Sequence, residues 1–230
     1  MDVEMRATNV VWHHNQVTRS DREELLGQRG GTIWLTGLPA SGKSTTAFAL
    51  EYALVKSGFT AFVLDGDNVR HGLNKDLAFS AKDREENIRR VAEVARLFAE
   101  AGLVAITSFI SPYRKEREFV RRLHKDSGLH FSEVFIHTPV EVCEARDPKG
   151  QYARARRGEL KGFTGVDDPY EPPLAPEMVV KTADHTPEEI VEQIISYLVS
   201  SGFLPERLLD RFSDLLRFPI DRGPDSFPAS

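Results

Sequence analysis

The stretch TIWLTGLPASGKSTT, residues 32–46, decides the fold of this chain. A β-rich run ends at Gly37, a turn bracketed by glycines follows, and helix-forming residues resume after Lys43. The turn matches the pattern G-x-x-x-x-G-K-[ST] in the strand–loop–helix context that this phosphate-binding motif requires. The residues predicted to surround the phosphates are Gly37, Leu38, Pro39, Ala40, Ser41, Gly42, Lys43, Ser44 and Thr45.

The chemistry of phosphate binding explains this spacing. Backbone N–H groups of the loop converge on phosphate oxygens, and the dipole of the following helix adds positive potential. Lys43 supplies a mobile charge for the β- and γ-phosphates, and the Ser44 hydroxyl is placed to bind Mg²⁺. A glycine-rich turn without a ligand is the alternative, but the flanking strand and helix favour a nucleoside triphosphate site.

Composition narrows the class of protein. A chain of 230 residues with 40% hydrophobic and 28% charged residues is typical of a globular protein with one sizeable core. The net charge of −5 argues against binding nucleic acid, and the apolar runs are too short to span a membrane. Residues 1–16 carry acidic side chains and lack an apolar core, unlike a secretory signal. Cys143 is the only cysteine, which excludes an intramolecular disulfide and fits a cytoplasmic location.

The order of hydrophobic segments predicts an α/β protein with a parallel sheet. Strands are predicted at 32–36, 60–65, 103–110, 131–137 and 178–182. Helices are predicted at 43–57, 82–101, 114–125, from 141 onward, and from a cap at Thr186 to about Ser201. Because strands alternate with helices of ten or more residues, βαβ units are expected.

Three regions are expected along the chain. Residues 1–30 form an N-terminal segment with a short helix, for which Ser20 is the predicted N-cap, Glu23 completes a capping box and Gly27 ends the helix. Residues 31–202 form the main domain. Residues 203–230 are predicted to be a separate tail, helical at first and irregular at its Pro-, Gly- and Ser-rich end.

A second constellation follows the second strand. Asp65 and Asp67 leave its C-terminal end, which is where ligands bind in open parallel sheets. Phosphoryl transfer needs one group that orients the acceptor hydroxyl and one that helps to hold Mg²⁺, and these two carboxylates can divide those tasks. An Asx-rich turn is the structural alternative.

Arg84, Asn87 and Ser111 each have both a functional and a structural interpretation. Arg84 and Asn87 share a face near the start of the long helix, where an anion is favoured, but a solvated charged face explains them equally well. Ser111 follows the third strand at the same predicted edge, although a simple turn residue can stand there too.

Together these residues resemble the adenylyl-sulfate kinase (APS kinase) family. The resemblance extends from 9–12 to the helix ending near Ser201. Besides the phosphate loop, its motifs are DGDNVRHGLN (65–74), FSAKDREENIRR (79–90), FISPYR (109–114), CEARDPKGQYARAR (143–156) and GFTGVDDPYE (162–171). The phosphate loop is shared by many kinases, whereas the other motifs are much narrower.

The resemblance implies a three-layer P-loop NTPase fold with a mostly parallel sheet, helices on both faces and a mobile lid at about 146–176. It implies phosphorylation of the ribose 3′-hydroxyl of adenosine 5′-phosphosulfate (APS) by ATP with Mg²⁺, in a cytoplasmic homodimer. By resemblance the substrate-binding positions are Asp67, Arg70, Phe79, Arg84, Asn87, Ile110, Ser111, Lys149, Gly162 and Phe163. Lys43, Asp65, Asp67 and Ser111 are the implied catalytic positions, Ser44 and Asp65 the metal ligands, and Arg146 an ATP contact.

Several points stay open. Ser111 falls on the family's phosphoserine position, but in-line transfer needs no covalent intermediate, and which of the two aspartates takes the proton is undecided. The lid is expected to bring positive charge over the phosphoryl group, from Arg146, Lys149, Arg154, Arg156, Arg157 and Lys161. Pro39 and Ala40 replace the small residues usual in the family's loop. The alternatives are a kinase of a sugar or nucleoside and, less favoured, a non-enzymatic nucleotide switch.

Overall fold

The structure is a computed structural model that describes residues 7–13 and 16–216. The remaining parts of the expected N-terminal segment and tail, 1–6, 14–15 and 217–230, lie outside the described residues. The strands are β1 (Gly31–Thr36), β2 (Ala61–Asp65), β3 (Val104–Ser108), β4 (His130–Ile136) and β5 (Met178–Val180). The helices are α1 (Arg19–Leu26), α2 (Lys43–Lys56), α3 (Ala81–Glu100), α4 (Arg114–Asp126), α5 (Val140–Arg146), α6 (Gln151–Arg156), α7 (Pro187–Ser200) and α8 (Arg207–Leu216).

The described strands form a five-stranded sheet in the order β2-β3-β1-β4-β5, and each neighbouring pair is parallel. The central strand β1 is buried along its whole length. Its side chains alternate between two cores: Ile33 and Leu35 pack on the face covered by α2 and α7, and Trp34 packs on the face covered by α3 and α4. The result is the three-layer α/β arrangement that the sequence predicts.

The start of α1 differs from the prediction. Ser20 is not the N-cap; Thr18 is, and its hydroxyl accepts a hydrogen bond from the Asp21 backbone N–H. The Asp21 carboxylate accepts a bond from the Thr18 N–H in return, which completes the capping box. Thr18 and Asp21 have the spacing that this motif requires, as do Ser20 and Glu23, and the helix begins two residues earlier than predicted. Gly27 ends the helix in a left-handed conformation, as predicted. The capping box of α7, Thr186 with Glu189, is also confirmed.

The beginning of the tail is not a separate piece. Phe203, Leu204, Leu208 and Phe212 are buried in the same core as α2 and α7. Its polar side chains also bind the main domain, because Arg211 donates to the Ser57 carbonyl. The helical spacing of the apolar residues correctly predicts α8, but spacing alone does not show what the apolar face packs against.

The segment expected to be a glycine-punctuated lid contains α6, which was not predicted. Tyr152 of α6 is almost fully buried and forms a small third cluster with Cys143 of α5, Ala155 and Phe163. The Tyr152 hydroxyl donates to the Pro39 carbonyl, so the segment packs directly on the phosphate loop. Among the described helices, none is both long and apolar enough to cross a membrane.

Candidate active site

The predicted site residues meet at the C-terminal edge of the sheet. A cavity of about 340 Å³ opens there between the phosphate loop, the segment after β2, the start of α3 and the segment after α6. The predicted residues that line it are Pro39, Ala40, Lys43, Ser44, Asp65, Asp67, Arg70, Phe79, Arg84, Asn87, Ile110, Ser111, Lys149, Gly162 and Phe163. Gly37, Leu38, Ser41, Gly42, Thr45 and Arg146 are not in its lining.

The phosphate loop is held in a conformation that few residue types favour. Gly42, at the N-terminus of α2, has a φ of 98°, which lies in the left-handed region that favours glycine. Ala40 has a φ of 57°, a conformation that costs a non-glycine residue about 1–2 kcal/mol. Ala40 therefore adopts this conformation at the cost of local strain.

Two threonines bind the backbone of the phosphate loop. The hydroxyls of Thr138, which follows β4, and Thr182, which follows β5, both donate to the Ser41 carbonyl, at 3.0 and 2.8 Å. Arg146 donates to the Thr182 side chain at 3.0 Å and to its carbonyl at 2.8 Å. The sequence analysis did not predict these threonines. Each lies just beyond the C-terminal end of a strand, where ligands bind in open parallel sheets. Arg146 thus lies behind the loop rather than over the cavity.

Lys43 is buried within the loop that it serves. Its ammonium group donates to the carbonyls of Gly37 at 3.0 Å and Leu38 at 2.7 Å. Burial lowers the pKa of Lys43 to about 8, against the attraction of nearby acidic groups that include Asp65. Phosphate oxygens in the cavity would restore the favourable environment that this desolvated charge lacks.

Ser44 and Asp65 form the pair expected to bind a metal. The Ser44 hydroxyl donates to Oδ2 of Asp65 at 2.7 Å, while Oδ1 accepts from the Asp67 backbone N–H at 3.0 Å. A hydroxyl and a carboxylate are hard oxygen donors that suit Mg²⁺, which usually takes its other ligands from water and phosphate. Within the described residues no group of three or more His, Cys, Asp or Glu could form a cage made of protein ligands alone. The chemistry of this donor pair, a hydroxyl and a carboxylate, fits a magnesium ion.

Asp67 lies two residues after Asp65, in the segment that follows β2. Its carboxylate is paired with the Lys149 ammonium group, and both side chains are more than half exposed. The pair joins the segment after β2 to the one after α5, across the mouth of the cavity. The two aspartates therefore differ in environment, because Asp65 is buried and held by the phosphate-loop side whereas Asp67 is exposed and paired with a basic group.

Arg84 connects α3 to the expected lid. It donates to the Asp168 carboxylate at 3.0 Å and also to the carbonyls of Gly162 and Phe79. Arg70 lies nearby, with its guanidinium group 4.5 Å from the centre of the Phe79 ring. Burial and the positive charge of Arg84 lower the pKa of Arg70. Two guanidinium groups at one cavity provide the donors that an anionic ligand requires.

Asn87 and two aromatic rings complete this end of the cavity. Asn87 is buried, and its side-chain oxygen accepts from the Asn74 amide at 3.0 Å, whereas its NH₂ group has no hydrogen-bond partner within the described part of the chain. Phe79 is 68% exposed, whereas Phe163 is buried and packs edge-to-face on Tyr152. An exposed and a supported ring are suited to stacking on a base.

Ser111 lies in a rigid, strained turn. It has a φ of 38°, is 2% exposed, and its hydroxyl accepts a hydrogen bond from the Trp34 indole N–H at 3.1 Å. Arg117 holds the turn from below, since it donates to the Ser111 carbonyl and forms a buried ion pair with Glu133 at 2.7 Å. Ser111 is therefore a buried turn residue at the edge of the cavity, and its role in the reaction stays a prediction.

The basic residues of the lid divide into two groups. Lys149 and Lys161 line the cavity. Arg154, Arg156 and Arg157 instead face away and pair with Glu159 or Glu144. The expectation that all six basic residues sit over the phosphoryl group is therefore wrong for these three arginines, which pair with acidic residues of α5 and of the lid, and for Arg146, which lies behind the phosphate loop.

The sheet order, the phosphate loop and the Ser44–Asp65 pair define a nucleotide-binding protein of the P-loop kinase class. The profile of the adenylylsulphate kinase family matches residues 29–181. The chain belongs to the adenylylsulphate kinase family, which confirms the resemblance carried by the motifs.

Similar proteins agree with this assignment. The adenylyl-sulfate kinase of Penicillium chrysogenum is 55% identical over 208 residues, which cover 87% of this chain and 99% of the relative. The structure of the APS kinase CysC of Mycobacterium tuberculosis in complex with AMPPNP and APS is 47% identical, with a TM-score of 0.72 over 74% of this chain and 98% of that one. A hexameric APS kinase from Thiobacillus denitrificans is 32% identical, with a TM-score of 0.60 over 80% of this chain and 30% of that one.

Proposed function

We propose that this protein transfers the γ-phosphoryl group of ATP to the ribose 3′-hydroxyl of adenosine 5′-phosphosulfate, giving 3′-phosphoadenosine 5′-phosphosulfate and ADP. The observation that carries this proposal is one cavity with a phosphate loop on one side and the Arg70, Arg84 and Asp67 group on the other. Membership of the family and the AMPPNP and APS bound to the related mycobacterial enzyme support it.

The donor half of the cavity would take ATP. The backbone of the phosphate loop and the ammonium group of Lys43 would hold the β- and γ-phosphates. Ser44 and Asp65 would hold Mg²⁺, which when bound neutralises charge on the phosphates. Arg146 supports this half indirectly, because it and Thr182 fix the Ser41 carbonyl and hence the loop.

The acceptor half would take the phosphosulfate and the nucleoside. Arg84, Arg70 and Lys149 supply the positive charge for the phosphosulfate group. Phe79 and Phe163 would stack on the adenine, and the free NH₂ group of Asn87 would donate to an acceptor atom of the ligand. The remaining implied contacts, Ile110, Ser111 and Gly162, border the same space.

The different environments of Asp65 and Asp67 support different roles for the two carboxylates. Both oxygens of Asp65 already accept hydrogen bonds, one from the metal-binding Ser44. Asp67 is exposed in the cavity and has only a mobile lysine as its side-chain partner among the described residues. We therefore assign Asp67 to orient the 3′-hydroxyl and accept its proton, and Asp65 to the metal.

The lid, the assembly and the location complete the proposal. Movement of 146–176 over the bound substrates would exclude water, which prevents wasteful hydrolysis of ATP. A kinase unit that begins at residue 31 and includes the start of the tail as far as Phe212, and a cytoplasmic homodimer, are proposed with it. The resemblance and the single unpaired cysteine support these choices, whereas the hexameric relative makes the assembly the part most in need of measurement.

Release of ADP tests the proposal directly. With ATP and Mg²⁺ present, we expect fast ADP release when adenylyl sulfate is added and very slow release without it. Adenosine, guanosine and simple sugars, tested at the same concentration, serve as the competing acceptors. A clear preference for a sugar or nucleoside would replace the proposal by a different kinase activity of the same fold, and no release with any acceptor would support a nucleotide switch.

Ser111→Ala separates the two mechanisms left open for this residue. Because its hydroxyl is buried and already bonded to Trp34, we expect a positioning role and a loss of turnover of less than about tenfold. An obligatory phosphoserine predicts complete loss. Turnover is measured by ADP release with adenylyl sulfate as the acceptor.

A further inference from the structure

Glu116 is a buried carboxyl group to which the proposed mechanism gives no role. It lies in the first turn of α4, after the Ser111 turn, and its side chain borders the cavity. The residue is 1% exposed. Its Oε2 atom has no hydrogen-bond partner among the described residues. A buried carboxyl oxygen without a donor is unfavourable, and such groups are rare unless a ligand or water completes them.

The basic groups around Glu116 have other partners. Arg117 donates hydrogen bonds to the Glu133 carboxylate and to the carbonyls of Ser111 and Glu171. Arg84 donates to the Asp168 carboxylate and to the backbone of the lid. Lys115 extends toward Glu85 on α3, at 3.8 Å. The protein surrounds Glu116 with charge but leaves Oε2 without a donor.

The chemistry of the cavity restricts which ligand group can donate a hydrogen bond to Oε2 of Glu116. The phosphosulfate group is anionic and would be repelled by a carboxylate. Of the parts of adenylyl sulfate, the adenine carries an exocyclic amino group, a neutral donor. Asn87 and Phe163 border the same cavity as Glu116 and are the residues suited to a base.

We propose that Glu116 is a specificity-determining residue that accepts a hydrogen bond from the exocyclic amino group of the acceptor's adenine. The proposal rests on the proposed function, because it assumes that adenylyl sulfate occupies the cavity. A site built to bond an amino group discriminates strongly against an analogue without it, since the buried acceptor is then left unpaired.

The titration behaviour of Glu116 agrees with this role. Burial raises the pKa of Glu116 to about 7, and the repulsion from Glu85 adds to this, while Lys115, Arg117 and Arg84 act in the opposite direction. A ligand that donates to the carboxylate favours its charged form and lowers the pKa again. Binding of the adenine would therefore relieve an unfavourable feature of the free protein.

The test compares two acceptors that differ by one amino group. These are adenylyl sulfate and the 5′-phosphosulfate of purine riboside, in which hydrogen replaces the 6-amino group. In the wild-type protein we expect kcat/KM to be roughly 10- to 100-fold higher for adenylyl sulfate. In Glu116→Met this ratio should fall to within about threefold of unity, while Glu116→Gln, whose amide oxygen can still accept, should keep a clear preference.

The matched control is Glu118→Met, an exposed position on the same helix, which should keep the wild-type ratio. A structural role for Glu116 would lower both kcat/KM values together and leave their ratio unchanged, and that outcome would overturn the proposal. A wild-type protein that uses both acceptors equally would also overturn it, even if Glu116→Met fails to fold. Failure of the proposed function is distinct, because neither acceptor would then be phosphorylated.

Discussion

Lys43→Ala is expected to lower kcat by roughly 10³-fold or more, because the charge that meets the β- and γ-phosphates is lost. The fold should survive. The ammonium group of Lys43 is desolvated, so its removal takes an unfavourable buried charge out of the free protein together with the two hydrogen bonds to the loop. We expect the thermal midpoint to change by less than about 5 °C. ADP release with adenylyl sulfate gives the rate, and calorimetry gives the midpoint.

Lys56→Ala is the control for this change. Lys56 lies in the last turn of the same helix, exposed and 5.5 Å from the Tyr52 ring, so its loss should leave turnover within about twofold of wild type. Normal activity in Lys43→Ala would remove the phosphate-loop assignment. A large fall in the thermal midpoint would instead show that Lys43 is mainly a structural residue of the loop.

Asp67→Asn is expected to lower kcat by roughly 10² to 10⁴-fold, the range typical of a lost general base. ATP affinity should change little, because the carboxylate faces the acceptor half of the cavity and pairs with Lys149 rather than with the phosphate loop. Single-turnover rates of phosphoryl transfer and equilibrium binding of a non-hydrolysable ATP analogue separate the two quantities. An unchanged kcat would take Asp67 out of the reaction.

Asp65→Asn is the informative comparison. Asp65 bonds to Ser44, so its loss should raise the Mg²⁺ concentration needed for half-maximal activity, and additional Mg²⁺ should recover part of the rate. Additional Mg²⁺ should not rescue Asp67→Asn. If Mg²⁺ rescues Asp67→Asn and not Asp65→Asn, the roles given to the two aspartates are reversed.

The sequence predicted those features that depend on local chemistry. The spacing of glycines around Lys43 sets the phosphate loop, and alternating strands and helices set the parallel sheet. The cavity residues that lie between Asp65 and Phe163 in the sequence were predicted from motifs at strand ends and from the family resemblance. These positions could be found because a phosphate, a metal or a base demands particular residue types close together in sequence.

Features that depend on contacts distant in sequence could not be found in the same way. Thr182 fastens Ser41 from 141 residues away, and no local pattern connects them. Glu116 belongs to a helix start rich in charged residues, where an exposed face is the natural interpretation of a lone carboxylate. The burial of Leu208 depends on a groove between α2 and α7 that only the assembled domain provides.

The position of β1 at the centre of the sheet has a consequence for folding. Its hydrogen-bonded neighbours are β3, starting at Val104, and β4, starting at His130. During synthesis from the N-terminus, some 70 residues must therefore be added after Gly31 before the strand can pair on one side, and about 100 before it can pair on both. Such non-local pairing slows folding. The segment that carries the phosphate loop is thus synthesised early, but its strand can gain its second neighbour only after synthesis has passed His130.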